Sequence, residues 1–256
     1  MDMKQKEANR RANQELVSRM SLRTMYPDDQ ARVLADAAGR GRIQQIETLV
    51  AQGVDVNALG TSGATPLYWP IRRGNVAGFR KLLELGADPN VIFEDGTSIM
   101  YFAATENNLE FLRLALNHGA DPNLVSGGKR TSREHGEIVT RFIGETPLMH
   151  AALHNANAVE AIDLLLEAGA DINAKTRDGK TPLFFTTNLR FDVTYALLVR
   201  GADYTVQVEG SGRYRSYGFI DTLLNTRRTM LPGTEQMRQY EKVVDWLKTQ
   251  GVEFPE

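Results

Sequence analysis

The five residues Gly86-Ala87-Asp88-Pro89-Asn90 return as Gly119-Ala120-Asp121-Pro122-Asn123 and again as Gly169-Ala170-Asp171-Ile172-Asn173. Weaker copies stand at Gly53-Val54-Asp55-Val56-Asn57 and at Gly201-Ala202-Asp203. From Gly53 to Gly86 is 33 residues, and from Gly86 to Gly119 is 33 again. A second phrase keeps step with the first: Thr65-Pro66-Leu67, Thr146-Pro147-Leu148 and Thr181-Pro182-Leu183. A fixed period of this size marks stacked helix-pair units, each of which buries its apolar face only against its neighbours. Such stacks usually bind other molecules rather than transform them.

Each phrase has a local physical cause. Thr before Pro offers a side-chain oxygen at a helix N-cap, and Pro at the first helical position forfeits no hydrogen bond. Small residues such as Ala151 and Ala152 let a second helix approach closely. Leu82-Leu83 and Leu165-Leu166 supply the core face of that second helix. Gly86, Gly119, Gly169 and Gly201 then stop it, since Gly enters the left-handed conformation without steric penalty. The Asp and Asn that follow suit the turn to the next unit. Architecture explains all of these residues, so none is assigned chemistry.

On these motifs the chain resembles the ankyrin-repeat family over roughly Asp29 to Tyr204. The resemblance implies an all-α fold, a solenoid of helix pairs with β-turn/hairpin connections, about five repeats and a degenerate C-terminal cap. The expected division is an N-terminal helical extension over 1–28, ankyrin repeats over 29–205 and a degenerate capping repeat over 206–256. In the capping repeat, Phe219 to Leu224 and Tyr240 to Leu247 read as apolar helical faces, broken by Leu231-Pro232-Gly233-Thr234. Gly251 stands where a repeat glycine would. Ser98 keeps the capping oxygen in a unit that has lost its Pro, and the first unit, with Arg32-Val33-Leu34, has lost both. From Ser98 to Thr146 is 48 residues, about fifteen beyond the period. The excess is an inserted basic loop over 124–143, with Gly127-Gly128 at one end and Lys129, Arg130, Arg133, His135 and Arg141 along it. It reads as a surface finger.

Bulk composition narrows the function classes. The net charge is −2 with 24% charged residues, which argues against a generally basic nucleic-acid binder. No run approaches the roughly 20 apolar residues needed to cross a bilayer. Met1 to Arg19 is polar and lacks the apolar core of a secretory signal. The expectation is a soluble protein, monomeric when free and cytoplasmic by default, or periplasmic if a leader has been replaced by the start Met1-Asp2-Met3. Zero cysteines exclude disulfides and thiolate metal sites.

The family resemblance places the residue two after the Leu of Thr-Pro-Leu on the concave inner-helix face. That position holds Asp36, Trp69, Phe102, His150 and Phe185. Aromatic side chains are common interface anchors, because they remove much apolar surface at low entropic cost. Each ring has two readings, a partner contact or a cover for the gap between inner helices, and the sequence leaves both open. Tyr68, Tyr101, Met149 and Phe184, one position earlier, are read as packing. Slightly further on, the same face carries Gly39 and Arg40, then Arg72 and Arg73, then Thr105 and Glu106, then Leu153 and His154. With Arg42, the first two units make a basic patch beside Trp69, suited to carboxylate-bearing protein surfaces or simply to solvent. The expected partner contacts are therefore Arg40, Arg42, Trp69, Arg72, Arg73, Phe102, Thr105, Glu106, His150, His154 and Phe185, with Lys129, Arg130 and Arg133 of the finger.

Catalytic and cofactor chemistry finds no foothold. His150 and His154 stand at i and i+4, a spacing zinc can use, but the Glu of His-Glu-x-x-His is missing and no third ligand is evident. Gly127-Gly128-Lys129 lacks the upstream Gly of a P-loop. No Gly-x-Ser-x-Gly or Ser/His/Asp set can be assembled. The reading is a non-catalytic protein-binding scaffold without cofactor or metal. The resemblance extends to bacterial ankyrin proteins, some of which are immunity proteins that neutralise a toxic secreted effector, for example a type VI secretion phospholipase. Two alternatives stay open: a host-targeted effector capturing a eukaryotic protein, and a regulatory subunit of an enzyme.

Overall fold

The computed structural model of the protein describes residues 20–126, 129–134, 137–142, 144–187, 190–209, 216–228 and 230–254. Within each repeated turn, the Asp and the Asn do separate jobs. The Asp accepts a hydrogen bond from the backbone N–H two residues on. Asp55 takes it from Asn57, Asp88 from Asn90, Asp121 from Asn123 and Asp171 from Asn173, each at 2.8 Å. That bond closes the turn. The Asn reaches onward to the next turn. Asn57 donates through Nδ2 to the Gly86 carbonyl (3.1 Å) and accepts at Oδ1 from the Asp88 N–H (2.8 Å). Asn90 repeats both bonds with Gly119 (3.0 Å) and Asp121 (2.7 Å). In the C-terminal part of the chain Asn173 accepts from the Asp203 N–H at 2.8 Å.

The chain divides into two compact units, residues 1–147 and 148–256. The first holds α1 (Leu22–Met25), then the helix pairs α2 (Asp29–Gly39) and α3 (Ile43–Ala51), α4 (Tyr68–Arg73) and α5 (Val76–Glu84), α6 (Ile99–Thr105) and α7 (Glu110–Asn117). It also holds the two-stranded ribbon β1 (Lys129–Glu134) and β2 (Glu137–Phe142). The second is built on α8 (Pro147–His154), which begins at the boundary, with α9 (Ala158–Glu167), α10 (Pro182–Thr186) and α11 (Phe191–Val199). A short pair of strands, β3 (Gln207–Val208) and β4 (Tyr217–Gly218), leads to α12 (Phe219–Arg227) and α13 (Glu235–Thr249).

The outer helices end alike. After α5, Gly86 takes φ +91 and the Ala87 N–H bonds back to the Leu82 carbonyl at 2.9 Å. The same closure joins Ala120 to Ala115, Ala170 to Leu165 and Ala202 to Leu197. It also ends α13, where Gly251 has φ +84 and the Val252 N–H reaches the Leu247 carbonyl at 3.1 Å. The glycine is there because the left-handed turn that satisfies these carbonyls carries a steric cost for other residues.

The helix starts differ from the expectation. Ser98 caps α6 as anticipated, accepting from the Tyr101 N–H at 3.0 Å. Thr65 and Thr181 do not cap: both hydroxyls are buried without a hydrogen-bond partner, and α4 begins only at Tyr68. In the first unit the core runs through Leu34, Ile46, Leu67, Phe79, Leu82, Phe111 and Leu112. In the second it runs through Leu148, Ile162, Leu165, Leu183, Phe191, Leu197, Phe219 and Leu247. Phe79 and Phe111 meet edge to face at 5.2 Å, joining α5 to α7. At Gly78 the backbone of α5 lies so close to α2 that an added Cβ would stand 1.9 Å from the Ala38 carbonyl oxygen.

The inserted segment is a strand pair rather than a loop. β1 and β2 run antiparallel with Lys129 opposite Phe142, Arg130 opposite Arg141 and Arg133 opposite Ile138. Its base is clamped by reciprocal backbone bonds between Ser126 and Glu145, at 2.9 and 3.0 Å. Gly127, Gly128 and His135 lie outside the described residues.

Candidate partner-binding face

In the first unit the candidate face centres on Gly39, at the end of α2. Trp69 of α4 lies directly over it, and an added Cβ at Gly39 would stand 2.5 Å from Trp69 Cδ1 and 3.1 Å from Arg73 Cγ. The missing side chain thus makes the seat for a tryptophan and an arginine together. Trp69 is half-buried, with the Tyr26 ring edge-on at 6.4 Å and the Arg72 guanidinium 5.0 Å from its centroid. Tyr26 is itself fully buried and donates its hydroxyl to the Thr65 carbonyl at 2.7 Å. Burial pushes its phenol well above the usual tyrosine range, with Tyr68 adding to the rise.

The arginines of this patch divide into two kinds. Arg72, expected as a partner contact, has internal work: Nη1 donates to the Met20 carbonyl at 2.5 Å while the guanidinium covers Trp69. Arg40 is exposed but bonded to Asp36 at 2.9 Å. Arg42 and Arg73 are exposed and form no salt bridge among the described residues. Arg40 and Arg73 stand 33 residues apart, in the same place on successive repeats, so the face presents one paired and one unpaired guanidinium.

Phe102 is half-buried and sits in an aromatic cluster. Tyr68 lies 4.6 Å from it, Tyr101 5.0 Å and Phe93 6.0 Å. One side of its ring packs in this cluster while the rest stays accessible. Burial holds the Tyr68 phenol up at about 12. Thr105 uses its hydroxyl within its own helix, donating to the Tyr101 and Phe102 carbonyls at 2.9 and 3.2 Å. Glu106 is exposed at the end of α6, and partial desolvation raises its carboxyl.

The second unit corrects one expectation outright. His150 is buried to 1% exposure, so it is a core residue of α8 and not a partner contact. Leu148, Met149, Ala151 and Ala152 are buried beside it, so this stretch of helix presents no open face. His154, one turn on, is exposed; desolvation lowers its pKa and Arg190 lowers it further. Arg190 donates to the Asn155 carbonyl at 2.7 Å. Phe185 is half-buried on α10. Met149, Phe184 and Tyr68 pack as expected, whereas Tyr101 is half-exposed. For Lys129, Arg130 and Arg133 the structure gives strand position and register only.

A family model for ankyrin repeats, in three copies, matches residues 34–126, 87–176 and 129–208. The chain belongs to the ankyrin-repeat family. No curated protein matches it. As an ankyrin protein it is a protein–protein interaction scaffold, of a family that is typically non-catalytic. Among the described residues no group of three or more His, Asp or Glu could hold a metal ion. No helix among them is long and apolar enough to cross a membrane.

What the repeat pattern misses is the support under the face. Tyr26 backs Trp69 and Met20 holds Arg72, yet both precede the first repeat. A signal was present only in composition, since the apolar pair Met25-Tyr26 stands with Pro27 just before the helix-capping Asp28. Chemically the arrangement can offer a flat indole, a phenylalanine edge and two exposed guanidinium groups, which suits a protein surface carrying an apolar knob next to carboxylates.

Proposed function

We propose that this ankyrin protein is a non-catalytic scaffold that holds a protein partner on the inner-helix face of its first unit. Trp69 and Phe102 supply the apolar anchor, Arg42 and Arg73 pair with the partner's carboxylates, and the ribbon 129–142 makes a second contact. The observation that carries this reading is the seat at Gly39, where Trp69 and the unpaired Arg73 are brought together. Exposed arginines beside a half-exposed indole are the composition of an interface hot spot rather than of a bare solvated helix.

The finer reading is an immunity protein that blocks a toxic secreted effector enzyme, such as an envelope-damaging phospholipase, by occluding it with face and ribbon. Its support is the likeness of the repeats to those of bacterial ankyrin proteins. Co-expression with such an effector from the same organism tests it. The expected outcome is restored growth with wild type and none with Arg42→Glu/Arg73→Glu. Failure of wild type to bind or protect against any co-occurring effector overturns the immunity reading and leaves the scaffold reading standing.

A further inference from the structure

Three exposed aliphatic side chains share one position in consecutive repeats. Leu59, Ile92 and Val125 follow one another at intervals of 33 residues, each four residues after the Asp of its turn and two after the Asn. They are 71, 47 and 52% exposed, while Val54, Val56 and Phe93 of the same turns are buried and Val91 and Leu124 half-buried. Architecture does not require an aliphatic residue there: at the same offset the second unit has Lys175 and Gln207. Spacing is fixed from below, because the Asn57 and Asn90 bonds fasten each turn to the next. Each aliphatic also has an exposed carboxylate in its own turn, Asp55, Asp88 and Asp121, and none of the three forms a salt bridge among the described residues. A rigid row of apolar side chains with an acidic companion in every turn is a surface with a preferred visitor.

We propose that this row docks an extended protein segment carrying aliphatic side chains interleaved with Lys or Arg. Charge selects that occupant. A second copy in a two-fold contact would bring Asp55, Asp88 and Asp121 against their own equivalents, and nucleic acid would meet the same carboxylates. Packed helices lie roughly 8–10 Å apart, about three residues of an extended strand at about 3.3 Å each, so the matching segment has an aliphatic residue at every third position. This surface goes beyond the inner-helix face and would give the protein a second, separately addressable contact.

The test uses the full chain and labelled twelve-residue peptides, read by fluorescence anisotropy. Leu-Lys-Ser repeated four times is expected to bind about tenfold or more tighter than the Leu-Glu-Ser and Ser-Lys-Ser repeats. The variant Leu59→Ser/Ile92→Ser/Val125→Ser and its Leu59→Lys/Ile92→Lys/Val125→Lys counterpart should each lose about tenfold or more, with unchanged circular dichroism. Arg73→Glu should leave the peptide affinity as it is, so that failure of one surface is seen apart from failure of the other. The proposal is overturned by undetectable binding of the Leu-Lys-Ser peptide at millimolar concentration, by equal binding to the Ser variant, or by equal binding of the acidic peptide. It is also overturned if wild type self-associates in sedimentation and the Ser variant does not, since the row would then serve a second copy of the chain.

Discussion

Ser98 and Thr65 hold the same place in successive repeats, and their hydroxyls fare differently. Ser98 caps α6 and shares a 2.8 Å bond with Ser126, whereas the Thr65 hydroxyl is buried with nothing to bond. A buried hydroxyl without a partner costs about 1–3 kcal/mol, and a lost cap typically costs about 1. Ser98→Ala should therefore lower stability by about 1–2 kcal/mol in urea unfolding, while Thr65→Val leaves it unchanged or raises it by up to about 1. Equal losses in both would contradict this account of the helix starts. The Tyr68 phenol, raised to about 12 by burial, ties stability to alkaline pH. Below about pH 10, the ordinary phenol value, its contribution is complete. From there the unfolded chain releases a proton that the folded chain retains, so stability falls as pH rises towards 12. Tyr68→Phe should flatten that decline in urea midpoints measured between neutral and strongly alkaline pH, and an unchanged decline would count against it.

The joints between elements rest on side chains that have no other task. Asn90 carries two bonds between turns, so Asn90→Ala should lower stability by about 2 kcal/mol, at about 1 per bond. Gly78→Ala sets a methyl against the Ala38 carbonyl and should cost about 1–3 kcal/mol as α5 is pushed from α2. Thermal or urea unfolding checks both, and a neutral Gly78→Ala would mean that the close approach is not required. The turn itself was legible in the sequence, because each residue of the repeated phrase recurs in step, but the Asn bonds to the next turn and the close approach at Gly78 were not. The ribbon was legible only as an excess of chain length. Lys129-Arg130-Thr131-Ser132-Arg133-Glu134 has no alternation of apolar and polar residues, so nothing in it announces a strand. His150 was misplaced for a different reason. It has the same offset from Leu148 as Trp69 from Leu67, but α8 begins at Pro147 and α4 only at Tyr68. Helix start does not decide the matter: α10 also begins at its Pro, and Phe185, at the same offset from Leu183, stays half-buried, so the spacing of the motif does not encode the burial of His150. Arg72 was read as free because its acceptor, the Met20 carbonyl, is a backbone atom outside the repeats.

The function of the molecule turns on whether side chains placed by repeat geometry are spare once folding is complete. Trp69 and Phe102 are only partly spare, since each also packs within the protein. Their truncation would mix lost binding with lost stability. Arg42 and Arg73 are the cleaner probes, being exposed and without a salt bridge among the described residues. The most direct measurement is therefore affinity capture from a lysate of the native organism, with wild type beside Arg42→Glu/Arg73→Glu, followed by titration of the captured protein against both. The account predicts one partner that wild type retains and the folded variant releases, with affinity lowered by about thirtyfold, the equivalent of a 2 kcal/mol hot spot. A partner held equally by both proteins would contradict it.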